Sequence, residues 1–465
     1  MQHAVVVGGG VGGLATALKL ARAGHRVTLL ERDAFAAADD PETAFAAERR
    51  GAPQVHQTHG FLARLQVVLR DQFPDVHAEL LRTGCTTMST TADLGEPRPG
   101  DEDLKVLIVR RTTLDWIMRR AVLTQPRIDV QTGVGVAGLL ASPGSPPRVT
   151  GVRLDDGTNV EADVVVVANG RRSALPAWLE ELGVHVPETL RESGLMYLSR
   201  WYRLPGERGV ELDPKLGGDL GFVKYLAVPG DGATLSVTLA ISSADGELRD
   251  ALADGDRFDA ACRALPGPSR FFAGGPLEPI GGVRPMGGLV NRLRRFVDDA
   301  RQPTVLGVHA VGDAHTCTNP LYGRGCSLAL VQAVLLSEAL AEHPADPAAR
   351  SAEYEAACAR EVKPWFDVSV QMDQLGADPS GFAGTGEGKA MAAIFVAAAT
   401  DPVIGRAMVR FWNLMATPAE LAADPELLAR MAAVMAEPDA YPIPPREGPA
   451  RDDLLTMLNT RENAA

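Results

Sequence analysis

Several things are scarce in this chain, and each scarcity narrows what it can be. Its 465 residues hold five cysteines, at 85, 262, 317, 326 and 358, with no C-x-x-C pair. Neither a zinc site nor a disulfide framework is expected from that pattern, and a reduced, cytoplasmic setting fits it. Basic charge is in deficit: 46 Lys and Arg face 59 Asp and Glu, a net charge of −13. That balance argues against nonspecific nucleic-acid binding. No run approaches the ~18 uninterrupted apolar residues of a membrane helix, so no transmembrane segment is expected. The first residues lack a basic region ahead of an apolar one, so no signal peptide is expected. His56 and His59 invite a metal, but no third ligand stands nearby, and no metal site is predicted. Internal repeats are absent.

What is present is ample apolar sequence. At 46% hydrophobic residues, the chain can build a large core, and its length suggests about three domains at ~150 residues each. The stretch AVVVGGGVGGLATA, from Ala4 to Ala17, organises the rest. An apolar run ends in Gly8, Gly10 and Gly13, spaced G-x-G-x-x-G. A helical pattern comes next, with Leu14, Ala17, Leu18 and Ala21 on one face. Each glycine has its own reason. Gly8 allows the tight turn, Gly10 lets backbone approach a pyrophosphate, and Gly13 lets the helix pack on the strand. The helix start then directs free N–H groups at an anion. A second strand, RVTLL, ends at Glu31, where a carboxylate can accept hydrogen bonds from ribose hydroxyls. The fingerprint does not by itself separate FAD from NAD.

Further along, Asp33 to Thr58 reads as a loop, and a helix is expected from near Thr58, because Phe61, Leu62, Leu65 and Leu69 recur at helical spacing. Val106 to Val109 reads as a strand entering a helix at Arg110-Arg111. Arg111 there is either a phosphate partner or a solvated helix-end charge. Val134 to Leu140 and Val149 to Leu154 form a hairpin-type pair. Asp163 to Ser173 holds four consecutive valines, a buried and parallel strand by pattern, ending in a small-residue turn at Gly170. From Val184 the pattern alternates with period two: Met196 to Leu204, Phe222 to Val228 and Thr234 to Ile241. Gly246 to Leu265 reads as helical. Trp201, Tyr202, Phe222 and Tyr225 are candidates to line a substrate pocket on this antiparallel sheet, with core packing as the alternative. Val305 to Val311 returns to a buried strand and ends in Gly312-Asp313. The turn from Asn319 to Gly325, with Pro320 and Gly323, precedes a helix from near Cys326. Asp313 can accept from a ribityl hydroxyl, and backbone N–H groups at that helix start suit a reduced flavin edge.

The expected domains are an FAD-binding domain in two parts, 1–183 and 300–345; an inserted antiparallel-sheet substrate domain, 184–299; a helical region covering it, 346–436; and an extended tail, 437–465. The fold class is α/β, a Rossmann-type domain with an inserted sheet.

Taken together, Gly8-x-Gly10-x-x-Gly13 with Glu31, the stretch Asp163 to Ser173, and Gly312-Asp313 with Pro320, Gly323 and Gly325 resemble the group A flavoprotein monooxygenases, typified by p-hydroxybenzoate hydroxylase. Arg111-x-x-Leu114-Asp115-Trp116 resembles their phosphate-facing arginine. Gly51-Ala52-Pro53-Gln54 through His59, with Asn319-Pro320-x-Tyr322-Gly323, is closer to the FAD-dependent epoxidases of polyketide biosynthesis. The resemblance covers roughly residues 1–345. It implies one FAD and no second nucleotide domain, in keeping with the lack of a second G-x-G-x-x-G. By the same resemblance Glu31 binds the adenosine ribose, Arg32 lies near adenine, Val134 touches adenine through its backbone, and Arg111 faces the diphosphate. Asp313 takes the ribityl chain and Pro320 to Gly325 approach the isoalloxazine. Asp163 and Gly170 belong to a motif tied to both FAD and NAD(P)H. Asn169 and Ser327 depart from the family pattern.

The implied reaction puts one atom of O2 into an apolar small molecule, as an epoxide or hydroxyl, by way of a flavin hydroperoxide. Electrons come from NAD(P)H or a separate flavin reductase. No side chain is needed as a nucleophile, so no catalytic residue is assigned. His315 and Cys317 are in principle capable of holding flavin covalently, but nothing calls for it. Three other readings remain: a reductase or dehydrogenase of isoprenoid-type double bonds, a flavin-dependent halogenase, and a flavin-binding protein without catalysis. A halogenase is expected to show W-x-W and an active-site lysine; the tryptophans stand at 116, 178, 201, 365 and 412.

Overall fold

A computed structural model of the chain describes residues 1–35, 38–205, 216–377 and 385–460. The valine-rich runs form one five-stranded parallel sheet. Its order is Val308–Ala310, Val164–Val167, His3–Val7, Arg26–Glu31 and Ile128–Thr132. Both of its faces are covered, which is why the strands read as unbroken apolar runs. Successive side chains go to opposite faces. Ala4, Val6, Val164 and Val166 join the core under the helices Val11–Arg22, Arg111–Leu123 and Gly325–Glu342. Val5, Val7, Val165 and Val167 join a second core under a three-stranded antiparallel sheet, Val136–Ser142, Arg148–Leu154 and Asn159–Glu161. The helix Gly325–Glu342 is apolar and long enough to cross a membrane by length and composition, but Leu330, Ala333, Leu336 and Leu340 are fully buried within this core.

The alternating segments form a second five-stranded sheet, antiparallel where the strands pair. Its order is Gly217–Asp219, Val223–Gly230, Thr234–Ser242, Leu195–Arg203 and Glu278–Met286. Leu198, Tyr202, Val237, Leu239 and Ile241 point to the face covered by Gly246–Ala253, Gly255–Ala264, Pro266–Phe272 and Arg451–Thr460. Tyr197, Ser199, Thr238 and Ala240 alternate to the other face. Glu188–Glu192, Val290–Arg294 and Thr316–Cys317 form a smaller antiparallel sheet.

Five expectations about the elements need correction. The helix after Thr58 starts at Ala63, because the Phe61 carbonyl accepts the Leu107 N–H at 2.9 Å and so holds that residue extended. The segment expected as a loop before it contains a short helix, Pro41–Ala46, whose first turn is capped by Asp40 accepting from Thr43 N. The helix expected over 246–265 is two helices. Asp254 breaks it, accepting from the N–H groups of Asp256 and Arg257 as the cap of the second. The tail expected from Glu437 includes Arg451–Thr460, whose Leu454, Leu455 and Leu458 are buried against the antiparallel sheet's helices and whose Arg451 binds Asp245 at 2.8 Å; residues 461–465 lie outside the described residues.

The helical region after Ala348 is also placed differently from expectation. Pro347–Glu361 packs on Gly325–Glu342, and Lys363–Ala377 packs on the strand Val290–Arg294. The Arg406 guanidinium is tied to Asp101 at 3.0 Å. It is the helices 246–272 and 451–460 that cover the antiparallel sheet.

Candidate active site

The parallel strands end at a cavity of about 490 Å³. At one end it is walled by Gly10, Val11 and Gly12, by Gly170 and by Gly312-Asp313. At the other it meets the antiparallel sheet through Tyr197, Tyr225, Leu226, Thr238, Ala240 and Met286. The turn Pro320, Leu321, Tyr322 and Gly323, with Gly325, lies between.

The glycines separate cleanly into two roles. A β-carbon on Gly13 would overlap the Gly8 carbonyl oxygen, so Gly13 serves the approach of helix to strand. A β-carbon on Gly10 meets no protein atom within 4 Å. Gly10 caps the helix Val11–Arg22 without any side-chain hydrogen bond. It is therefore small for the sake of something other than protein, and the first-turn N–H groups beside it suit a diphosphate. Gly8 has φ +109°, and a side chain there would strike the Ala168 carbonyl. Gly170 and Gly312 also turn at positive φ where the chain bends along the cavity.

Glu31 is buried. Its carboxylate accepts the Gly9 N–H at 2.6 Å and the Asp33 N–H at 2.8 Å, with Arg49 at 3.4 Å. Val134 stands beside it, its N–H donating to the Glu31 carbonyl at 3.0 Å. Arg32 is exposed on the next residue. Arg111 lines the cavity and is buried; its Nε donates to Asp115 at 2.6 Å and its Nη1 lies 2.9 Å from the Cys326 sulfur. Burial works against its charge, but Asp115, Cys326 and Asp313 keep the guanidinium protonated. This removes the solvated-charge reading of Arg111.

Asp313 lies at the cavity wall, held there by its neighbour. The Gly312 N–H donates to the fully buried side chain of Gln332 at 2.8 Å. Burial pushes the Asp313 carboxyl up from its ordinary range, and Arg111, Arg171 and Arg292 pull it down. The Thr318 hydroxyl, also at the cavity, is buried without a partner in the protein. His59 lines the cavity as a neutral imidazole, driven to about 4 by burial and by Arg111, with its ring stacked on Phe61. His56 turns away, its Nε2 3.2 Å from the Ala47 carbonyl. The cavity is lined by a glycine anion cradle, the Asp313 carboxylate and the unpartnered Thr318 hydroxyl, a set that fits FAD, while Glu31, Arg32 and Val134 stand outside its lining.

Two groups of expected site residues stand elsewhere. Asp163 is at the opposite end of its strand, where its carboxylate accepts the His3 N–H at 2.8 Å and ties the first strand down. Of the four aromatics, only Tyr225 borders the cavity, and its side chain is buried in the far-face core with Tyr202 and Leu239. Trp201 and Tyr202 are consecutive on one strand, so they cannot share a face. Trp201 donates its indole N–H to the His56 carbonyl at 2.7 Å, while Tyr202 is buried on the far face with its hydroxyl on Asp259. Phe222 packs against that same far-face core. Cys317 lines the cavity with its thiol pushed up by burial, whereas His315 is buried behind it, 3.4 Å from Glu355.

Sequence reasoning missed Tyr197, Gln332, Asn291 and Asp373, none of which belongs to a recognisable motif. It also missed a run of hydroxyls beside the cavity. Ser199 donates to Gln57 Oε1 at 2.6 Å, and Thr238 lies 2.6 Å from both Ser199 and Thr58. Gln57, Thr58 and Thr238 face the cavity as its polar patch.

Residues 3–88 match the family model of the FAD dependent oxidoreductases (DAO). Comparison with curated proteins gives no match. Among solved structures, the p-nitrophenol 4-monooxygenase PnpA from Pseudomonas putida DLL-E4 has a TM-score of 0.61 at 17% identity, over 89% of this chain and 99% of that one. The anhydrotetracycline hydroxylase OxyS from Streptomyces rimosus has a TM-score of 0.58 at 17% identity, over 89% of this chain and 75% of that one. The flavin-dependent brominase Bmp2 has a TM-score of 0.57 at 16% identity, over 94% and 99%. At such identities the likeness is one of fold, and the fold is that of the FAD-binding flavoproteins the motifs resembled.

Proposed function

We propose that this FAD-dependent oxidoreductase is a monooxygenase that puts one atom of O2 into an apolar small molecule, as an epoxide or a hydroxyl, in secondary metabolism. The observation that supports it most directly is the continuity of one cavity from the Gly10 cradle, past the Pro320–Gly325 turn, to the apolar wall of Leu226, Ala240, Met286 and Leu289. A cofactor held at the first end would present its reactive ring to a substrate lying at the second. Bound FAD supplies the electron transfer and the activation of oxygen.

The chain's own residues bind, orient and exclude water. The N–H groups around Gly10 and the Arg111 guanidinium hold the diphosphate. Glu31 takes the adenosine ribose, with Arg32 and Val134 near the adenine, and Asp313 takes the ribityl hydroxyls. The turn from Pro320 to Gly325 sits against the isoalloxazine. The sheet wall keeps water from the reacting centre. Gln57, Thr58 and Thr238 orient a polar group on an otherwise apolar substrate. No side chain acts as a nucleophile. Electrons arrive from NAD(P)H or from a partner reductase.

A brominase is the reading to exclude, because Bmp2 shares the fold. The lysine at the cavity, Lys224, is ion-paired with Asp219. The deciding experiment reconstitutes the protein with FAD, reduces it, and exposes it to 18O2 with anhydrotetracycline or p-nitrophenol as first probes, in bromide buffer. One labelled oxygen in the product supports the proposal. A product formed equally well without oxygen moves the reading to a reductase of double bonds, and a brominated product moves it to a halogenase.

A further inference from the structure

Asp373 lies in the helix Lys363–Ala377, outside every motif of the sequence. Its carboxylate accepts three hydrogen bonds from the polypeptide around the cavity. Oδ1 accepts from Asn319 Nδ2 at 2.8 Å and from the Tyr322 hydroxyl at 2.7 Å. Oδ2 accepts from Asn291 Nδ2 at 2.6 Å. Asn319 and Asn291 are both 0% exposed, so neither has water as a substitute partner.

A carboxylate facing these three donors only accepts, and that decides how both amides lie. With Nδ2 turned to Asp373, the Oδ1 of Asn319 faces the other way. There it accepts from the Tyr197 hydroxyl at 2.5 Å and the Leu321 N–H at 3.1 Å. With its Nδ2 also on Asp373, Asn291 turns its oxygen to the Asn319 N–H at 2.8 Å. One carboxylate thus orients two buried amides, and those two amides hold two backbone N–H groups of the turn.

The same helix holds the turn a second time. Arg324 is 0% exposed, and its Nη1 donates to Ser369 Oγ at 2.6 Å and to the Trp365 carbonyl at 3.3 Å. Its guanidinium lies 4.8 Å from the centre of the Tyr322 ring. Between these two anchors the turn presents Pro320, Leu321, Tyr322 and Gly323 to the cavity.

We propose that Asp373 is the positioning residue for the flavin: acting through Asn319 and Asn291, it fixes the turn that faces the isoalloxazine and places a carboxylate behind it. This rests on the FAD reading. The helical C-terminal region is then part of the redox site rather than an outer cover. A negative charge behind the turn disfavours added electron density on the ring, so Asp373 holds the flavin's potential down. In Asp373→Asn an amide N–H meets at least one of the three donors. Whichever way that amide turns, Asn291 or Asn319 loses the acceptor that fixes its orientation, and the turn loses its register with the cavity.

The test uses the full-length holoprotein and reads FAD affinity, midpoint potential and the visible flavin spectrum, none of which needs a substrate. Asp373→Asn is expected to bind FAD at least tenfold more weakly and to show a raised midpoint potential. Tyr322→Phe removes one of the three donors and keeps the ring, so it guards against a variant that does not fold. It is expected to weaken FAD severalfold and to perturb the flavin spectrum. Combined with Asp373→Asn, its effect should be less than the product of the two, because both act through one network. If both variants keep wild-type affinity, potential and spectrum while only the melting temperature of the apoprotein falls, Asp373 is a structural brace and the proposal is overturned. If Asp373→Asn does not fold and Tyr322→Phe is indistinguishable from wild type, it is overturned as well. A wild-type protein that binds no flavin would instead refute the FAD reading itself.

Discussion

Arg110 and Asp231 meet three times. The Arg110 backbone N–H donates to one carboxylate oxygen at 2.6 Å, and its Nε and Nη2 donate to the other at 3.1 and 2.8 Å. Both side chains are within 2% of complete burial. Arg110 precedes the helix that carries Arg111, and Asp231 is in the turn between Val223–Gly230 and Thr234–Ser242. The contact therefore locks the parallel-sheet part to the antiparallel sheet, one residue from a cavity-lining cation.

Asp231→Ala should be among the most destabilising single changes in the chain. It leaves a buried guanidinium without its main partner and takes the acceptor from Thr113 as well. Loss of one member of a buried pair costs about 3–5 kcal/mol. Urea unfolding measures it, and a change under about 1 kcal/mol would show that Glu42, 2.6 Å from Arg110 Nη2, carries the charge alone.

Gly10→Val and Gly13→Val should fail for different reasons. At Gly10 the new side chain finds open cavity, so the apoprotein folds and FAD binding is lost. At Gly13 it collides with the Gly8 carbonyl, so the helix no longer packs on the strand and the fold suffers. Circular dichroism with flavin titration separates them. Native-like FAD affinity in Gly10→Val would remove the diphosphate from this cradle.

Much of this was legible because the relevant signals are local. A valine run flanked by glycines announces a strand buried on both faces, and G-x-G-x-x-G announces the helix that packs on it. The period-two alternation of 196–204 and 234–241 announced the second sheet, whose strands run 195–203 and 234–242. Which aromatic reaches the cavity was not legible from composition, although alternation alone forbids Trp201 and Tyr202 from sharing a face. The split at Asp254 and the buried leucines 454, 455 and 458 carried readable signals, a capping aspartate and a helical stripe. Asp373 carried none. Its role arises from bringing residues 291, 319 and 322 against a helix residue 82, 54 and 51 positions further on, and such long-range pairing leaves no trace in a single sequence.

Asp313→Ala should weaken FAD about tenfold to a hundredfold, since a hydrogen bond to a charged group contributes about 1.5–3 kcal/mol. Acid should act in the same direction. The ionised carboxylate is the stronger acceptor, and burial raises the pH at which it takes up a proton. FAD affinity in the wild type should therefore fall on the acid side sooner than an ordinary carboxylate would allow. In Asp313→Asn that acid-side fall should be absent. Flavin fluorescence titrations across pH check this, and parallel curves for the two proteins would disconnect Asp313 from the cofactor.

His309 gives a prediction that needs no cofactor. It sits on the strand Val308–Ala310, 4% exposed, with its ring edge-on to Tyr354 at 5.6 Å and its Nε2 without a partner. Burial, with help from Arg350, drives its pKa down from 6.5 to about 3. The folded state thus refuses a proton that the unfolded chain accepts. Above 6.5 neither state is protonated and the group contributes nothing. As pH falls from 6.5 toward 3, the unfolded state gains up to ~1.4 kcal/mol per pH unit from this one residue. His309→Leu removes that share, so the variant should gain stability relative to wild type steadily as the pH is lowered. His59, held near 4, keeps its own share in both proteins, so the variant's acid-side slope should shrink without vanishing. Urea midpoints between pH 7.5 and 4.5 measure the difference. A constant offset between the two proteins across that range would mean that His309 takes up its proton at the same pH in the fold as in the unfolded chain, against its burial and its unpartnered Nε2.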